Sequence, residues 1–266
     1  MLDDRVGGRG APSNCAKILT VEFKLSSPSK IAIVAALDHE INSLVADWRV
    51  SEKEFSGRTF RFFENESTVA VCGGIGSEAA RRAAEAVIAL YNPELTCSAG
   101  FAGAADPVLK VGDIVIPRRV VDVRDGSSTD TGIGEGVLVS FPAIADREQK
   151  AKFRDSFGAK AIDMEAAAVA KAAAIRGIRF IAVKAISDES DFALPPLDQF
   201  VGADGRFHIA KFTLFVIPRP WMWPRVLQLQ RGSNAAARAL CNRLQGIENE
   251  VNLDEVANGT KLLNQQ

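Results

Sequence analysis

The chain has 266 residues, 47% of them hydrophobic, with 32 Lys and Arg set against 33 Asp and Glu. That length buries a sizeable core in one domain, and that apolar content excludes a disordered chain. Near-cancelling charge leaves no basic footprint for nucleic acid and no tract able to hold an anionic membrane by charge alone, so the expected ligand is small.

Four cysteines at 15, 72, 97 and 241 stand far apart with no CxxC, and the two histidines, His39 and His208, lack partners at ligand spacing. No metal or cofactor is therefore expected, and the cysteines suit a reducing cytosol. No apolar run approaches the roughly 20 residues that span a bilayer, and MLDDRVGGRGAPSN does not read as a signal, so a cytoplasmic protein is expected.

Residues 1–29, broken by Gly7, Gly8, Gly10, Pro12 and Pro28, read as a flexible extension outside Ile18 to Phe23. A strand is predicted from Ile31 to Ala36, then a helix over DHEINSLV with Ile41, Leu44 and Val45 on one face and Glu40 in its first turn. Phe60–Phe63 and Thr68–Cys72 read as a hairpin turning at Asn65. Gly73, Gly74 and Gly76 then lead into a helix from Ser77 to Leu90. A strand from Leu95 to Ser98 runs into Gly100, Phe101, Ala102 and Gly103, a loop where backbone N–H groups approach a ligand closely. Further on, Val111–Ile116 is a turn and strand stopped by Pro117, 122–135 a loop, Val137–Ser140 a strand and Arg147–Phe157 a helix.

The stretch AIDMEAAAVAKAAAIRGIRFIAVKAISDESD, 161–191, reads as strand, helix, strand, with Ala166–Ile175 helical, Gly177 as its left-handed stop and Phe180–Ala185 as the second strand. Such a crossover predicts parallel strands with both carboxyl ends on one edge. Glu165 and Asp188 then meet there as a candidate acid–base pair, although a residue favouring the helix dipole and a turn residue fit the spacing equally. Alternating strands and helices predict a three-layer α/β/α sandwich around a central mixed, largely parallel sheet, spanning residues 30–245. Residues 200–245 read as a C-terminal extension packed on this domain or on a membrane surface, and 246–266 as a polar tail.

Gly74-Ile-Gly76-Ser-Glu-Ala79 has the form of a dinucleotide fingerprint. The acidic residue such a fingerprint needs has only Glu94 as a candidate, ahead of its strand, so a turn for a ribose or small anion is expected instead. Lys184 lies inside an apolar strand and needs a charge partner, which Asp188 or Glu40 can supply.

Taken together, IAIVAALDHEI, CGGIGSEAA, SAGFAGAADPVLKVGDIV, AIDMEAAAVA and FIAVKAISDESD resemble, in that order, the purine nucleoside phosphorylase superfamily. The likeness covers about residues 30 to 200 and is greatest to the nucleosidase branch typified by methylthioadenosine/S-adenosylhomocysteine nucleosidase. It implies cleavage of a purine N-glycosidic bond by water, with Glu40 activating the water and Asp188 donating a proton toward purine N7 beside Ser187. It further implies that Met164 and Glu165 hold the ribose, with Gly76, Gly100, Phe101, Ala102, Lys184 and Ile144 among the substrate-binding positions. A homo-oligomer, expected to be a dimer, follows the same pattern.

Three departures stand out: Lys184 replaces the family's arginine, Phe101 replaces a serine or threonine, and the 117–140 region is short. In outline, with Asp204, Gly205, Arg219-Pro220-Trp221 and Leu227 to Leu240, the chain resembles the hopanoid-associated phosphorylase-like proteins, which implies adenine removal from adenosylhopane. Methylthioadenosine/S-adenosylhomocysteine cleavage, phosphorolysis and non-catalytic nucleoside binding are the alternatives. Phosphorolysis is disfavoured by the acids after the first strand. Between 209 and 231, tryptophans and arginines together suit a peripheral contact at the inner membrane face, or else packing on the sheet or a subunit contact.

Overall fold

The central strands form where the sequence carries apolar runs, and their burial on both faces explains the absence of alternation there. The computed structural model describes residues 31–193, 197–202 and 205–263, with side chains up to residue 247 except that of residue 198. β1 (Ile31–Ala35), buried throughout, pairs in parallel with β4 (Thr68–Cys72) and with the first half of β5 (Leu95–Ala104). The opposite edge of β5 is covered along its length by β11 (Arg179–Asp188), parallel from Arg179 opposite Leu95 to Asp188 opposite Gly103.

Beyond β4 the sheet continues antiparallel through β3 (Arg58–Glu64) and β2 (Arg49–Phe55). From the far half of β5 it continues through β10 (Ala159–Asp163), β9 (Val137–Ser140), β7 (Arg119–Asp122) and β8 (Ser128–Asp130), while the short β6 (Ile114–Val115) adds to β11. The sheet is mixed, with helices on both faces.

On one face lie α2 (Ser77–Tyr91) and α4 (Ala166–Ile175), whose buried alanines bring the helix axes close to the strands and to each other. Gly73 belongs to this packing, because a Cβ there would stand 2.7 Å from that of Ala83. The other face is covered by α1 (Asp38–Ile41) and by Ala236, Leu240, Cys241 and Leu244 of α6 (Trp223–Leu263), packed on Ile31, Ile33, Ile181 and Val183. A third cluster sits under α3 (Arg147–Phe157), which a reciprocal Asp146–Gln149 capping box starts and a left-handed Gly158 ends. α5 (Ile209–Val216) precedes α6.

Several sequence expectations change. β10 and β11 are not a parallel pair: β10 runs antiparallel to β5 at Gly103 and Ala104, so the two carboxyl ends meet at the far half of β5 instead of across a simple crossover. The segment Gly100–Gly103 is strand, since β11 hydrogen-bonds it there, and the first helix is a single turn followed by tighter turns. β2, β7 and β8 were not foreseen; β2 and β8 fall in polar stretches where exposed antiparallel edges leave little apolar signal, while β7 is only four residues long. Within the C-terminal extension the helix α6 runs from Trp223 to Leu263, past the start of the polar tail expected at 246. Ile18–Phe23, with the rest of the extension over 1–29, and Asp204 lie outside the described residues.

Because Leu240 is fully buried against β1 and β11, Leu240→Ala is expected to cost about 2–5 kcal/mol in denaturant unfolding. A loss below about 1 kcal/mol would show that α6 is an ornament on a finished core.

Candidate active site

The floor of the site is an ion pair. Lys184, 1% exposed at the middle of β11, donates to Asp163 Oδ2 at 2.9 Å. Burial opposes its charge, yet Asp163 and then Glu165 hold its pKa above the ordinary lysine value. Asp163 is itself fixed by Ser140 Oγ at 2.6 Å and by the amide of Ala166 at 2.8 Å, the first turn of α4. The partner is thus Asp163, and not Asp188 or Glu40 as expected from the sequence.

Glu40 is buried, its Oε2 accepting from the amides of Ala36 (2.8 Å) and Leu37 (2.9 Å) and its Oε1 from Phe101 N at 3.1 Å. Burial pushes its pKa up, against those amides and the Lys184 charge. The Phe101 contact is through the main chain, so the missing hydroxyl at that position does not disturb it. Glu165 takes the N-cap position of α4, its Oε1 accepting from Gly76 N at 2.8 Å and its Oε2 from Met164 N at 3.2 Å. Burial first, then the Asp163 charge, push its carboxyl up to about 7.

Asp188, the last residue of β11 and 6% exposed, accepts from Ser187 Oγ at 2.7 Å through Oδ1 and from the buried Lys150 ammonium through Oδ2. Lys150 also donates to Glu189 O at 2.9 Å. Glycine is needed beside both acids. A Cβ at Gly100 would come 3.0 Å from Glu40 Oε1, and one at Gly103 3.0 Å from Asp188 Oδ2.

A cleft of about 1110 Å³ opens over these groups. Glu40, Phe101, Ala102, Ile144, Met164, Glu165, Ser187 and Asp188 line it, as does Lys150. Gly76, Gly100 and Lys184 do not line it, and act on the carboxylates from behind. The glycine turn is no anion cradle. Its amides at 73, 74, 75 and 76 are taken by the carbonyls of Ala35, Ala36 and Gly205 and by Glu165. The C-terminal region adds a further wall, on which Ile209, Phe212, Val226 and Leu229 stand beside Thr213, Gln230, Ser233 and Asn234.

A family model described as the phosphorylase superfamily matches residues 30–148 and 142–206. The chain belongs to this superfamily. Among its relatives, the 5′-methylthioadenosine/S-adenosylhomocysteine nucleosidase of Marinomonas sp. is 30% identical over 200 residues, covering 60% of this chain and 86% of the relative. That of Actinobacillus succinogenes is 28% identical over 201 residues, covering 61% and 86%. Among solved structures, the Helicobacter pylori nucleosidase of that name superimposes with a TM-score of 0.63 at 17% identity, covering 84% of this chain and 99% of that one. The futalosine hydrolase of the same organism reaches 0.59 at 18%, covering 82% and 98%. At those identities the structures speak for the fold, while the sequence relatives set the chain in the nucleosidase branch of the superfamily.

Sequence reasoning missed Asp163, Ser140 and Lys150. Lys150 left a trace, since it stands three residues before Phe153 on the buried face of α3, where a solvated lysine does not belong. Also unforeseen are Arg58, Arg61 and Arg206 in the lining, supplied from β3 and from the segment after residue 204. Arg61 is paired with Asp38. Among the described residues no cluster of His, Cys, Asp and Glu is suited to a metal ion, and no helix is long and apolar enough to cross a membrane.

The raised value of Glu165 fixes a pH dependence. A carboxyl whose folded pKa lies above its ordinary 4.5 contributes stability that is full below about 4.5 and lost as pH rises through about 7. Glu165→Gln removes this titration, so the stability of the variant relative to wild type is expected to increase with pH across that window in denaturant melts. A difference flat in pH would mean that Glu165 does not titrate there.

Proposed function

We propose that the chain is a purine nucleosidase that uses water to release adenine from an adenosine bearing a large apolar 5′ substituent, of the adenosylhopane kind. The observation that carries this reading is the make-up of one cleft: buried carboxylates from separate elements at its floor, and a wall carrying apolar side chains from the C-terminal helices. In this reading Glu40 takes the proton of the attacking water, a role suited to a desolvated carboxylate aimed by three amides. Glu165 beside Met164 accepts the ribose hydroxyls. The sugar becomes cation-like as the bond to N9 breaks, and carboxylates around it stabilise that charge. Asp188, oriented by Ser187, delivers a proton to purine N7, which turns an anionic leaving group into neutral adenine.

The apolar side chains of that wall support the choice of substituent. Helix α5 and the start of α6 line the cleft with Ile209, Phe212, Val226 and Leu229 and turn Leu214, Ile217, Trp221, Trp223 and Leu227 to the outside, 72%, 59%, 71%, 49% and 52% exposed. A segment that turns apolar side chains both to the cleft and to solvent, the latter beside the exposed cations Lys211, Arg225 and Arg231, suits a lipid nucleoside drawn from a membrane surface, its adenine at the sheet and its hydrocarbon along the helices. A phosphate-dependent reading draws on Arg58, Arg61 and Arg206 in the lining, but the committed amides of the glycine turn and the acids at the floor oppose a dianion.

An adenine-release assay over adenosines with short and long alkyl 5′ substituents, with and without phosphate, separates these. The nucleosidase reading expects phosphate-independent release, with kcat/KM rising with chain length. It also expects Asp188→Asn to lower turnover by about 10²- to 10⁴-fold with binding retained, and Glu40→Gln to abolish hydrolysis. Release that needs phosphate and survives Glu40→Gln identifies a phosphorylase. For the outer surface, Trp221→Ala with Trp223→Ala is expected to reduce binding to liposomes, and activity on a liposome-embedded substrate, more than activity on a soluble adenosine. Equal losses on both would assign the tryptophans to the body of the fold.

A further inference from the structure

The acid of the proposed reaction is not alone. Both oxygens of Asp188 already accept hydrogen bonds, Oδ1 from Ser187 and Oδ2 from the Lys150 ammonium. Lys150 Nζ therefore stands where it can hand a proton directly to Oδ2. Lys150 is 1% exposed and shares the buried face of α3 with Phe153 alone. Room for it is made by Gly103, where a Cβ would stand 3.1 Å from Lys150 Cε. The neighbouring charge, Glu189, is turned outward to Lys110 at 3.1 Å and leaves the pair to itself, giving Lys150 only its main-chain oxygen.

We propose that Lys150 is a positioning residue that supplies, through Asp188, the proton that reaches the purine; this rests on the nucleosidase reading above. As the C1′–N9 bond breaks, its electron pair goes to the purine, Lys150 Nζ gives a proton to Asp188 Oδ2, and Asp188 gives one to N7. Asp188 ends as it began and Lys150 ends as a neutral amine. Water adds its oxygen to C1′ and its proton to Glu40. Both groups return to their starting states by exchange with solvent through the cleft that they line. A lysine suits this relay where arginine does not, because a guanidinium keeps its protons.

The test is adenine release by wild type, Lys150→Ala, Lys150→Met and the double variant Lys150→Ala/Asp188→Asn. Loss of the proton source is expected to lower kcat by about 10²-fold or more in both single variants while KM changes little. Lys150→Ala opens space toward the cleft, so ethylamine is expected to restore kcat at least about tenfold there, whereas ethanol, of similar shape without an ammonium, restores nothing. The double variant is expected to show no rescue. Lys150→Met keeps the volume filled and guards against simple misfolding of the alanine variant. Full kcat in Lys150→Met, or rescue by ethanol equal to that by ethylamine, overturns the inference while the nucleosidase reading stands. Wild-type protein that releases no adenine overturns that reading and this inference with it.

Discussion

A single buried ammonium makes the site possible. Lys184 lies where three carboxylates converge: Asp163 in direct contact, and Glu165 and Glu40 near enough for their charges to raise its pKa. Without it, acids from three elements would repel one another in a poorly solvated space, and each would favour its neutral form. The dependence is mutual, since an isolated ammonium at that depth is untenable; breaking such a pair costs about 3–5 kcal/mol where its replacement as a whole is often neutral. The pair also ties β11 to the turn before α4, so the same contact that balances charge fixes the distance between the two halves of the far sheet.

β5 divides the acids of the cleft. It passes between Glu40 and Asp188 with glycine at 100 and 103, the two points where a side chain would meet one acid or the other. Each acid is then held by different means. Amides aim Glu40, whereas a hydroxyl and an ammonium aim Asp188. The proposed reaction asks for such a difference in surroundings, since it gives the two carboxyls different tasks.

Much of this was legible in the residues, and the failures share a cause. α4 was bounded correctly because its stop, Gly177, is a local signal, and α3, also bounded correctly, proves to carry such signals in Asp146 and Gly158. Glu40, Glu165 and Asp188 were found because polar residues after apolar runs stand out, and the cleft does bring them together. What was missed depends on pairing across the chain. Gly100–Gly103 looked like a loop because glycines usually mark one, yet β11 recruits it into the sheet. Lys184 found Asp163, not the acids nearest in the sequence argument, because β10 runs opposite to the direction that a simple crossover predicts. Lys150 was invisible as a site residue because nothing local says which acid waits across the core.

The docking of α6 has a consequence for how the chain is made. Cys241 Sγ lies 3.3 Å from the carbonyl oxygen of Glu40, 201 residues earlier, and Leu240 and Leu244 close the face of β1, the first strand among the described residues. The segment that opens the fold therefore waits, during synthesis, for the segment that seals it. At about 5–20 residues added per second, that face of β1 stays uncovered for about ten seconds or more. For that interval an apolar strand is exposed in a crowded cell, and chaperone binding or pausing on the message would bear most heavily there.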